Sequence, residues 1–273
     1  MNKINKIKVG IIGCGAIGSE IAKACQDRLK DKVELVGICD VDDKKTEALN
    51  KTLKNKVSAQ NVESLIKNSS LVVEAASAGI SADVLKRCID AGRDCLIMSV
   101  GGLLGSEAML DEAKEKGIKI YIPSGAICGI DGLKSASVGR VDSVILTTRK
   151  PPKGLVGAPY LKEKGIDVLA VKDEQVIFEG NALEAIKGFP QNVNVSAVLS
   201  LAGLGAKNTI VKIVTSPKYT SNTHEIDIKG EFGRISTRSE NLPSRANPKT
   251  SALAIFSAIA TLEGIASSVR IGT

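Results

Sequence analysis

Short apolar runs alternate with amphipathic stretches through the first half of the chain. The apolar runs predict strands at Lys8–Ile12, Val33–Cys39, Leu71–Glu74, Cys95–Val100 and Ile118–Ile122. The stretches between them predict helices at Ala16–Leu29, Asp42–Leu53, Ser81–Ala91 and Ser106–Lys116. Short strands separated by helices are typical of βαβ units, in which the strands form a parallel sheet. The first half is therefore predicted to be an α/β unit with a doubly wound parallel sheet, which binds ligands beyond the carboxyl ends of its strands.

The pattern changes after about residue 140, where strand-like segments follow one another with fewer helices between them. These segments are Asp142–Thr148, Val168–Val171, Gln175–Glu179, Thr209–Thr215, Glu225–Ile228 and Gly233–Thr237. They predict a second, α+β domain with a largely antiparallel sheet. Two helices are predicted there, at about Asn194–Leu204 and Pro248–Ser267. The second helix would have Asn247 as its N-cap and Pro248 in its first position.

The composition is that of a globular protein. Hydrophobic residues make up 43% of the 273 residues and charged residues 25%, close to the averages for such proteins. Aromatic residues make up 3%, with no Trp, so the core must be built from Ile, Val, Leu and Ala. The net charge is +7, but the basic residues are interspersed with Asp and Glu. We therefore expect no nucleic-acid partner, and interpret the positive charge as a field that attracts anionic cofactors and substrates.

The six cysteines and the single histidine give no spacing typical of a zinc site, so we expect no metal. The cysteines are interpreted as reduced, buried thiols of a cytoplasmic protein. The N-terminus leads directly into a strand without the apolar segment of a signal peptide. No stretch is long and apolar enough to span a bilayer. We expect a soluble, cytoplasmic protein that does not bind membranes.

A glycine-rich turn follows the first strand. Residues 8–20 read KVGIIGCGAIGSE, in which Gly13, Gly15 and Gly18 form a G-x-G-x-x-G pattern between an apolar strand and an apolar-periodic helix. In this context the pattern indicates dinucleotide binding. Gly13 makes the tight turn, Gly15 lets the backbone approach the pyrophosphate, and Gly18 lets the helix pack against the strand. The helix then begins with N–H groups that suit a diphosphate, those of Ala16, Ile17 and Gly18.

Asp40 ends the second predicted strand. An acidic side chain there accepts hydrogen bonds from the ribose hydroxyls of NAD and repels the 2′-phosphate of NADP, so NAD is favoured. Lys44 and Lys45 lie just beyond and would soften that preference, which leaves NADP open. We predict a Rossmann-type dinucleotide-binding domain over residues 1–128, completed by the C-terminal segment 247–273. A substrate and catalytic domain is predicted over residues 129–246.

Five further segments resemble those of the L-aspartate dehydrogenase family. They are Ser99–Leu103 (SVGGL), Pro123–Ile127 (PSGAI), Phe189–Asn194 (FPQNVN), Asn222–Ile226 (NTHEI) and Asn247–Ser251 (NPKTS). They occur in the expected order over most of the chain. The resemblance implies NAD(P)-dependent oxidation of L-aspartate to iminoaspartate, which water converts to oxaloacetate and ammonia. It also implies a homodimer and a link to pyridine nucleotide biosynthesis, because quinolinate synthase uses iminoaspartate.

The resemblance also implies roles for particular residues. The histidine of the N-x-H segment, which is His224 here, is the catalytic residue of that family. The alanine of the S-G-A segment contacts the cofactor, which implies Ala126, and so does an asparagine that is either Asn192 or Asn194. Cys128 departs from the family pattern, in which a glycine is expected at this position.

The chemistry of the reaction supports a catalytic role for His224 independently of the resemblance. Oxidation of an amino acid requires a neutral amine and a group that accepts protons near neutral pH. Lys207 and Lys249 are the alternative bases. The two substrate carboxylates need cationic or N–H partners. Candidates are Arg234, Arg245, Lys249 and the backbone N–H groups of residues 99–102 and 124–126.

Two other functions fit the same glycine pattern. The first is a related oxidoreductase for another small carboxylate, similar to homoserine dehydrogenase or dihydrodipicolinate reductase. The second is an NAD-sensing protein without catalysis. Turnover of L-aspartate with either cofactor would separate these possibilities from an aspartate dehydrogenase.

Overall fold

The structure, a computed structural model, describes residues 6–190, 193–245, 247 and 250–272. The chain divides into two compact units. The first comprises residues 1–123 and 255–270, and the second comprises residues 124–254 and 271–273. Among the helices of the described residues, none has the length and apolar character needed to cross a membrane.

The first unit contains a five-stranded parallel sheet with strand order β2-β1-β3-β4-β5. Its strands are β1 (Ile7–Ile12), β2 (Val33–Cys39), β3 (Leu71–Glu74), β4 (Asp94–Ile97) and β5 (Ile120–Tyr121). The helices between them are α1 (Ala16–Gln26), α2 (Asp43–Thr52), α3 (Val62–Asn68), α4 (Ala78–Asp90), a 3₁₀ helix (Val100–Leu103) and α5 (Glu107–Glu115). The predicted parallel sheet is confirmed.

The C-terminal helix α10 (Ala252–Ile265) contributes to the core of the first unit. Its Leu262 is fully buried in a cluster with Ile11 of β1, Ile21 of α1 and Leu71 of β3. A buried leucine contributes about 1.5–3 kcal/mol relative to an exposed one, so this helix stabilises the unit through packing.

The second unit contains a mixed sheet with strand order β10-β9-β6-β8-β7. Neighbouring strands are antiparallel except for the pair β6 and β8. The strands are β6 (Val141–Lys150), β7 (Gln175–Asn181), β8 (Thr209–Thr215), β9 (Asn222–Gly230) and β10 (Gly233–Asn241). The helices are α6 (Ile130–Ala136), a 3₁₀ helix (Pro152–Gly154), α7 (Pro159–Lys164), a second 3₁₀ helix (Val168–Ala170), α8 (Ala182–Gly188) and α9 (Val193–Ala202). The prediction of a largely antiparallel second sheet is confirmed.

One face of this second sheet, which we call the inner face, is buried. Val144 and Leu146 of β6 and Ile226 and Ile228 of β9 are at most 1% exposed on this face. Arg149 and Glu225 lie on the opposite, outer face and form an ion pair of 2.9 Å. The alternation follows from the two-residue period of a strand.

Several predicted elements differ in the structure. The predicted strand Val168–Val171 is a 3₁₀ helix, because the Asp167 side chain accepts the Leu169 N–H at 3.0 Å and caps a turn. The predicted strand Cys95–Val100 ends at Ile97. The sequence prediction also missed the short helices α3, α6, α7 and α8. The predicted strands Glu225–Ile228 and Gly233–Thr237 form a longer hairpin, β9 and β10.

The last helix begins at Ala252 and not at Pro248, which lies outside the described residues. The predicted cap is therefore wrong. Asn247 belongs to a preceding turn, in which its carbonyl oxygen accepts the Thr250 N–H at 2.9 Å. The Ser251 hydroxyl oxygen accepts the Leu253 N–H at 3.1 Å at the start of α10.

One of the six cysteines differs from the prediction that they are buried. Five of them are buried free thiols, whereas Cys128 is exposed. Cys128 lies in the loop before α6, where its thiol donates to the Arg238 carbonyl oxygen at 3.9 Å. The expectation of buried thiols is therefore wrong for this residue.

Candidate active site

The glycine turn between β1 and α1 leaves space for a ligand. Gly13 has φ +100°, a left-handed conformation that side chains rarely adopt, and a Cβ there would lie 2.5 Å from the Ala75 carbonyl oxygen. A Cβ at Gly18 would lie 1.9 Å from the Gly13 carbonyl oxygen. Both glycines are therefore required by packing. At Gly15 a Cβ would meet no atom within 4 Å, so this position faces open space.

The N-terminus of α1 is suited to an anion. Gly15 occupies the N-cap position, no side chain caps the helix, and the first turn contains no acidic residue. The first-turn N–H groups, those of Ala16, Ile17 and Gly18, therefore keep the partial positive charge of a helix N-terminus. Together with the open space at Gly15, this arrangement fits the diphosphate of a dinucleotide.

Asp40 connects the end of β2 to the glycine turn. One carboxylate oxygen accepts the Cys14 N–H at 2.8 Å, and the other accepts the Asp42 N–H at 3.0 Å. The Lys45 ammonium lies 3.8 Å from the carboxylate, whose side chain is 7% exposed. Asp40 therefore orients the turn, and each oxygen keeps a lone pair for a further donor.

Glu74, which the sequence analysis did not single out, has an analogous role at the ends of β3 and β4. Its buried carboxylate accepts the N–H groups of Ala76 at 2.8 Å, Ser77 at 3.2 Å and Ser99 at 3.0 Å. Burial raises the pKa of Glu74 above its ordinary value, while these hydrogen bonds lower it in part. The residue holds two loops together at the carboxyl end of the sheet, where ligands of such folds bind.

In the second unit, His224 lies on the inner face of β9. It pairs with Thr148 of β6 and with Ser239 of β10, so three polar side chains form one row across the sheet. His224 is 6% exposed, and its Nδ1 lies 3.0 Å from the Thr148 Oγ1. Burial lowers the pKa of His224 to about 4, with a smaller effect from the positive charge of Lys150. The imidazole is therefore neutral at neutral pH.

A second polar row lies beside the first, two residues further along each strand. Lys150 pairs with Thr215, and Asn222 pairs with Asn241. Lys150 has the same phase along β6 as Thr148 and therefore lies on the same inner face. Burial lowers the pKa of Lys150 to about 8. This lysine was not among the residues predicted from the sequence, although it continues the inward positions 144, 146 and 148.

The loop that contains Ala126 is fixed to β10. The Ala126 carbonyl oxygen accepts hydrogen bonds from the Ser239 hydroxyl at 3.0 Å and from the Asn241 side-chain amide at 2.9 Å. The Ser251 hydroxyl donates to the Asn241 Oδ1 at 2.6 Å. Since Ser239 is paired with His224 across the sheet, the S-G-A loop and the histidine are held by the same strand.

The remaining predicted cofactor residues are the two asparagines. Asn194 lies in the first turn of α9 and is exposed. Asn192 lies outside the described residues.

Neither Arg234 nor Arg245, two of the predicted cations, is a member of the histidine row. Arg234 lies on the outer face, where its Nε donates to the Asp227 carboxylate at 2.7 Å. Arg245 is exposed, and Lys249 lies outside the described residues. The alternative base Lys207 is exposed in the turn before β8, whose first residue pairs with Val144, at the other end of β6 from Thr148.

The parallel sheet with its glycine turn, followed by a unit with a mixed sheet, defines the class of pyridine-nucleotide-dependent dehydrogenases with two domains. Two family models match the chain. The model described as "Homoserine dehydrogenase, NAD binding domain" matches residues 13–123. The model described as "Aspartate dehydrogenase, C-terminal" matches residues 131–265.

Relatives of known name identify the family. The L-aspartate dehydrogenase of Methanosarcina acetivorans is 47% identical over 271 residues, which cover 98% of this chain and 100% of the relative. That of Methanococcus maripaludis strain C6 is 43% identical over 270 residues, with the same coverage. The chain belongs to the L-aspartate dehydrogenase family, as its sequence segments predicted.

Solved structures agree with this assignment. The aspartate dehydrogenase of Thermotoga maritima has a TM-score of 0.76 at 26% identity, over 98% of this chain and 100% of that chain. A homoserine dehydrogenase from Thiobacillus denitrificans has a TM-score of 0.60 at 15% identity, over 96% and 73%. At 15% identity, the similarity to the homoserine dehydrogenase concerns the fold alone.

Proposed function

We propose that the protein oxidises L-aspartate to iminoaspartate with a pyridine nucleotide as oxidant. The amino group loses a proton and Cα loses a hydride, so that a C=N bond forms. Water then converts the imine to oxaloacetate and ammonia. The observation that carries the proposal is the single histidine of the chain, which is buried and neutral within the segment matched by the aspartate dehydrogenase model.

The residues of the glycine turn fit the cofactor. Gly15 faces open space and α1 begins without a side-chain cap, so the N–H groups of Ala16, Ile17 and Gly18 would hold the diphosphate. When bound, NAD(P) supplies the acceptor for the hydride. Asp40 would accept the ribose hydroxyls, which favours NAD, and Lys45 beside it would let NADP bind as well.

His224 would accept the proton that the substrate releases. A neutral imidazole has one basic nitrogen, and the partner of the other nitrogen determines which one is basic. If Nδ1–H donates to Thr148 Oγ1, then Nε2 carries the lone pair. Thr148 would thus orient the ring and select its tautomer. The same nitrogen would activate the water that hydrolyses the imine.

The family resemblance supports two further roles. Ala126, whose carbonyl oxygen is held by Ser239 and Asn241, would contact the cofactor. Asn194, or Asn192, would do so as well. From the resemblance alone we also infer a cytoplasmic homodimer whose product feeds quinolinate synthase and hence NAD biosynthesis.

The experiment is a measurement of NADH and NADPH formation with L-aspartate and with other amino acids. We expect turnover with L-aspartate and a loss of turnover in His224→Ala, while NADH binding remains. Full activity of that variant would disprove the role of His224. Lys207→Ala serves as the control, because this exposed lysine should not affect the rate.

The main alternative is a dehydrogenase or reductase for another small carboxylate. The model described as a homoserine dehydrogenase NAD-binding domain matches residues 13–123. This match concerns the binding of the cofactor and does not identify the substrate. Turnover of homoserine without turnover of L-aspartate would favour this alternative. NADH binding without turnover of any substrate would favour an NAD-sensing protein.

A further inference from the structure

The end of β10 carries two buried polar side chains that hold the S-G-A loop (residues 124–126). Ser239 and Asn241 lie two residues apart on the strand, so both face the inner side of the sheet. Each donates to the Ala126 carbonyl oxygen, the Ser239 hydroxyl at 3.0 Å and the Asn241 Nδ2 at 2.9 Å. A carbonyl oxygen has two lone pairs. Both lone pairs of Ala126 are therefore used within the protein, which fixes the direction of this carbonyl group.

The orientation of the Asn241 amide follows from its other partner. The Ser251 oxygen accepts the Leu253 N–H at 3.1 Å, and the Ser251 hydroxyl donates to the Asn241 Oδ1 at 2.6 Å. The reversed amide would bring Oδ1 against the Ala126 carbonyl oxygen, and neither of these atoms carries a proton. The amide therefore directs Nδ2 towards Ala126, and Ser251 fixes this orientation.

Of the two donors to Ala126, Asn241 is the one with protons to spare. The Ser239 hydroxyl has a single proton, and its oxygen also lies 3.5 Å from the His224 carbonyl oxygen, so it can donate to one of the two carbonyls at a time. The Asn241 amide has two N–H bonds, and its Nδ2 lies 3.5 Å from the Ser239 Oγ as well. Without Asn241, the loop would depend on one hydroxyl that has a second acceptor on β9.

We propose that Asn241 is a positioning residue of the active site, which holds the S-G-A loop where the cofactor binds and thereby sets the affinity for NAD(P). This inference rests on the proposed function, in which Ala126 contacts the cofactor. A displacement of about 1 Å in an active site can cost about 100-fold in rate, so a loop that contacts a ligand needs support from buried neighbours. Asn241 acts through the Ala126 carbonyl group and does not itself touch the reacting atoms.

The test uses four variants that each alter one buried hydrogen-bonding side chain. Asn241→Ala removes the donor to Ala126, and Asn241→Leu removes it while nearly conserving the volume of the side chain. Ser251→Ala removes the hydroxyl that orients the amide. Ser244→Ala is the matched control, because Ser244 is also buried, but the partners of its hydroxyl are the backbone groups of Asn247.

For each protein the Kd of NADH is measured by fluorescence titration, the KM for NAD and for L-aspartate by steady-state kinetics, and the stability by urea unfolding. We expect both Asn241 variants to raise the Kd of NADH and the KM for NAD by about 5- to 20-fold, the range for loss of a buried hydrogen-bond donor. The KM for L-aspartate should change less than either of these.

The other variants separate positioning from stability. Ser251→Ala should raise the Kd of NADH less than Asn241→Leu does, and adding it to Asn241→Leu should change nothing further, because Ser251 acts on the loop through Asn241. Ser244→Ala should lower the stability and leave the Kd of NADH at its wild-type value.

The proposal is overturned if both Asn241 variants bind NADH as tightly as the wild type, or if Ser244→Ala raises the Kd as much as they do. Equal rises in the KM for NAD and for L-aspartate also overturn it. The titration needs no turnover, so a protein whose NADH affinity depends on Asn241 but that does not oxidise L-aspartate would disprove the proposed function and leave this inference intact. A wild type that does not bind NADH would overturn both.

Discussion

The buried histidine should make the protein sensitive to acid in a way that one substitution removes. Burial and the charge of Lys150 lower the pKa of His224 from 6.5 to about 4. This lowering of the pKa corresponds to a free-energy difference of roughly 3 kcal/mol between the protonated and the neutral form of the residue. His224→Gln keeps a side chain that can hydrogen-bond to Thr148 but does not titrate.

The direction in which stability changes with pH follows from the difference in proton binding between the folded and the unfolded chain. Since the pKa is lowered in the folded state, the unfolded chain binds a proton below pH 6.5 that the native state does not. The folded protein therefore has its full stability above pH 6.5. The part of this stability that depends on a neutral His224 is lost as the pH falls towards 4. At pH 5 the loss relative to pH 7 should be about 2 kcal/mol.

Two measurements check this prediction. The chain contains one histidine, so the imidazole signal in an NMR spectrum of protein with labelled histidine needs no further assignment. We expect no titration of the native signal down to pH 5. Urea unfolding at pH 7 and pH 5, followed by circular dichroism, should show a larger loss in the wild type than in His224→Gln, by about 2 kcal/mol. A native midpoint near pH 6.5, or equal losses in both proteins, would refute the reasoning.

Three further predictions concern the first unit. Asp40→Asn removes the negative charge beside the ribose position, so the ratio of kcat/KM for NADP to that for NAD should rise about tenfold or more, measured by steady-state kinetics with both cofactors. Glu74→Gln leaves one amide oxygen for three N–H donors and should lower the free energy of unfolding by about 1–3 kcal/mol in urea titrations. Unchanged stability would contradict the role of Glu74 in holding the two loops together. Gly15→Ala should retain the thermal midpoint but weaken NADH binding in calorimetry, whereas Gly18→Ala should lower the midpoint, because its Cβ would collide with the Gly13 carbonyl oxygen.

The strands of the first unit could be predicted because each is an apolar run bounded by turn residues. The short helices could not. α3 and α8 have seven residues each, fewer than the 11–18 needed to show a helical period. Local signals were present, since Asn61 caps α3 and Asn181 with Glu184 forms a capping box at α8. Caps of this kind are the better guide for helices of two turns.

The site was predicted in part. The glycine turn is local in sequence, so its context could be recognised, and His224 followed from the family segment. Lys150 was missed because a lysine after a strand normally indicates that the strand has ended. Its burial depends on pairing between β6 and β8, which are separated by more than fifty residues in the chain. A signal exists nevertheless: positions 144, 146, 148 and 150 keep the inward phase while the residues change from apolar to polar.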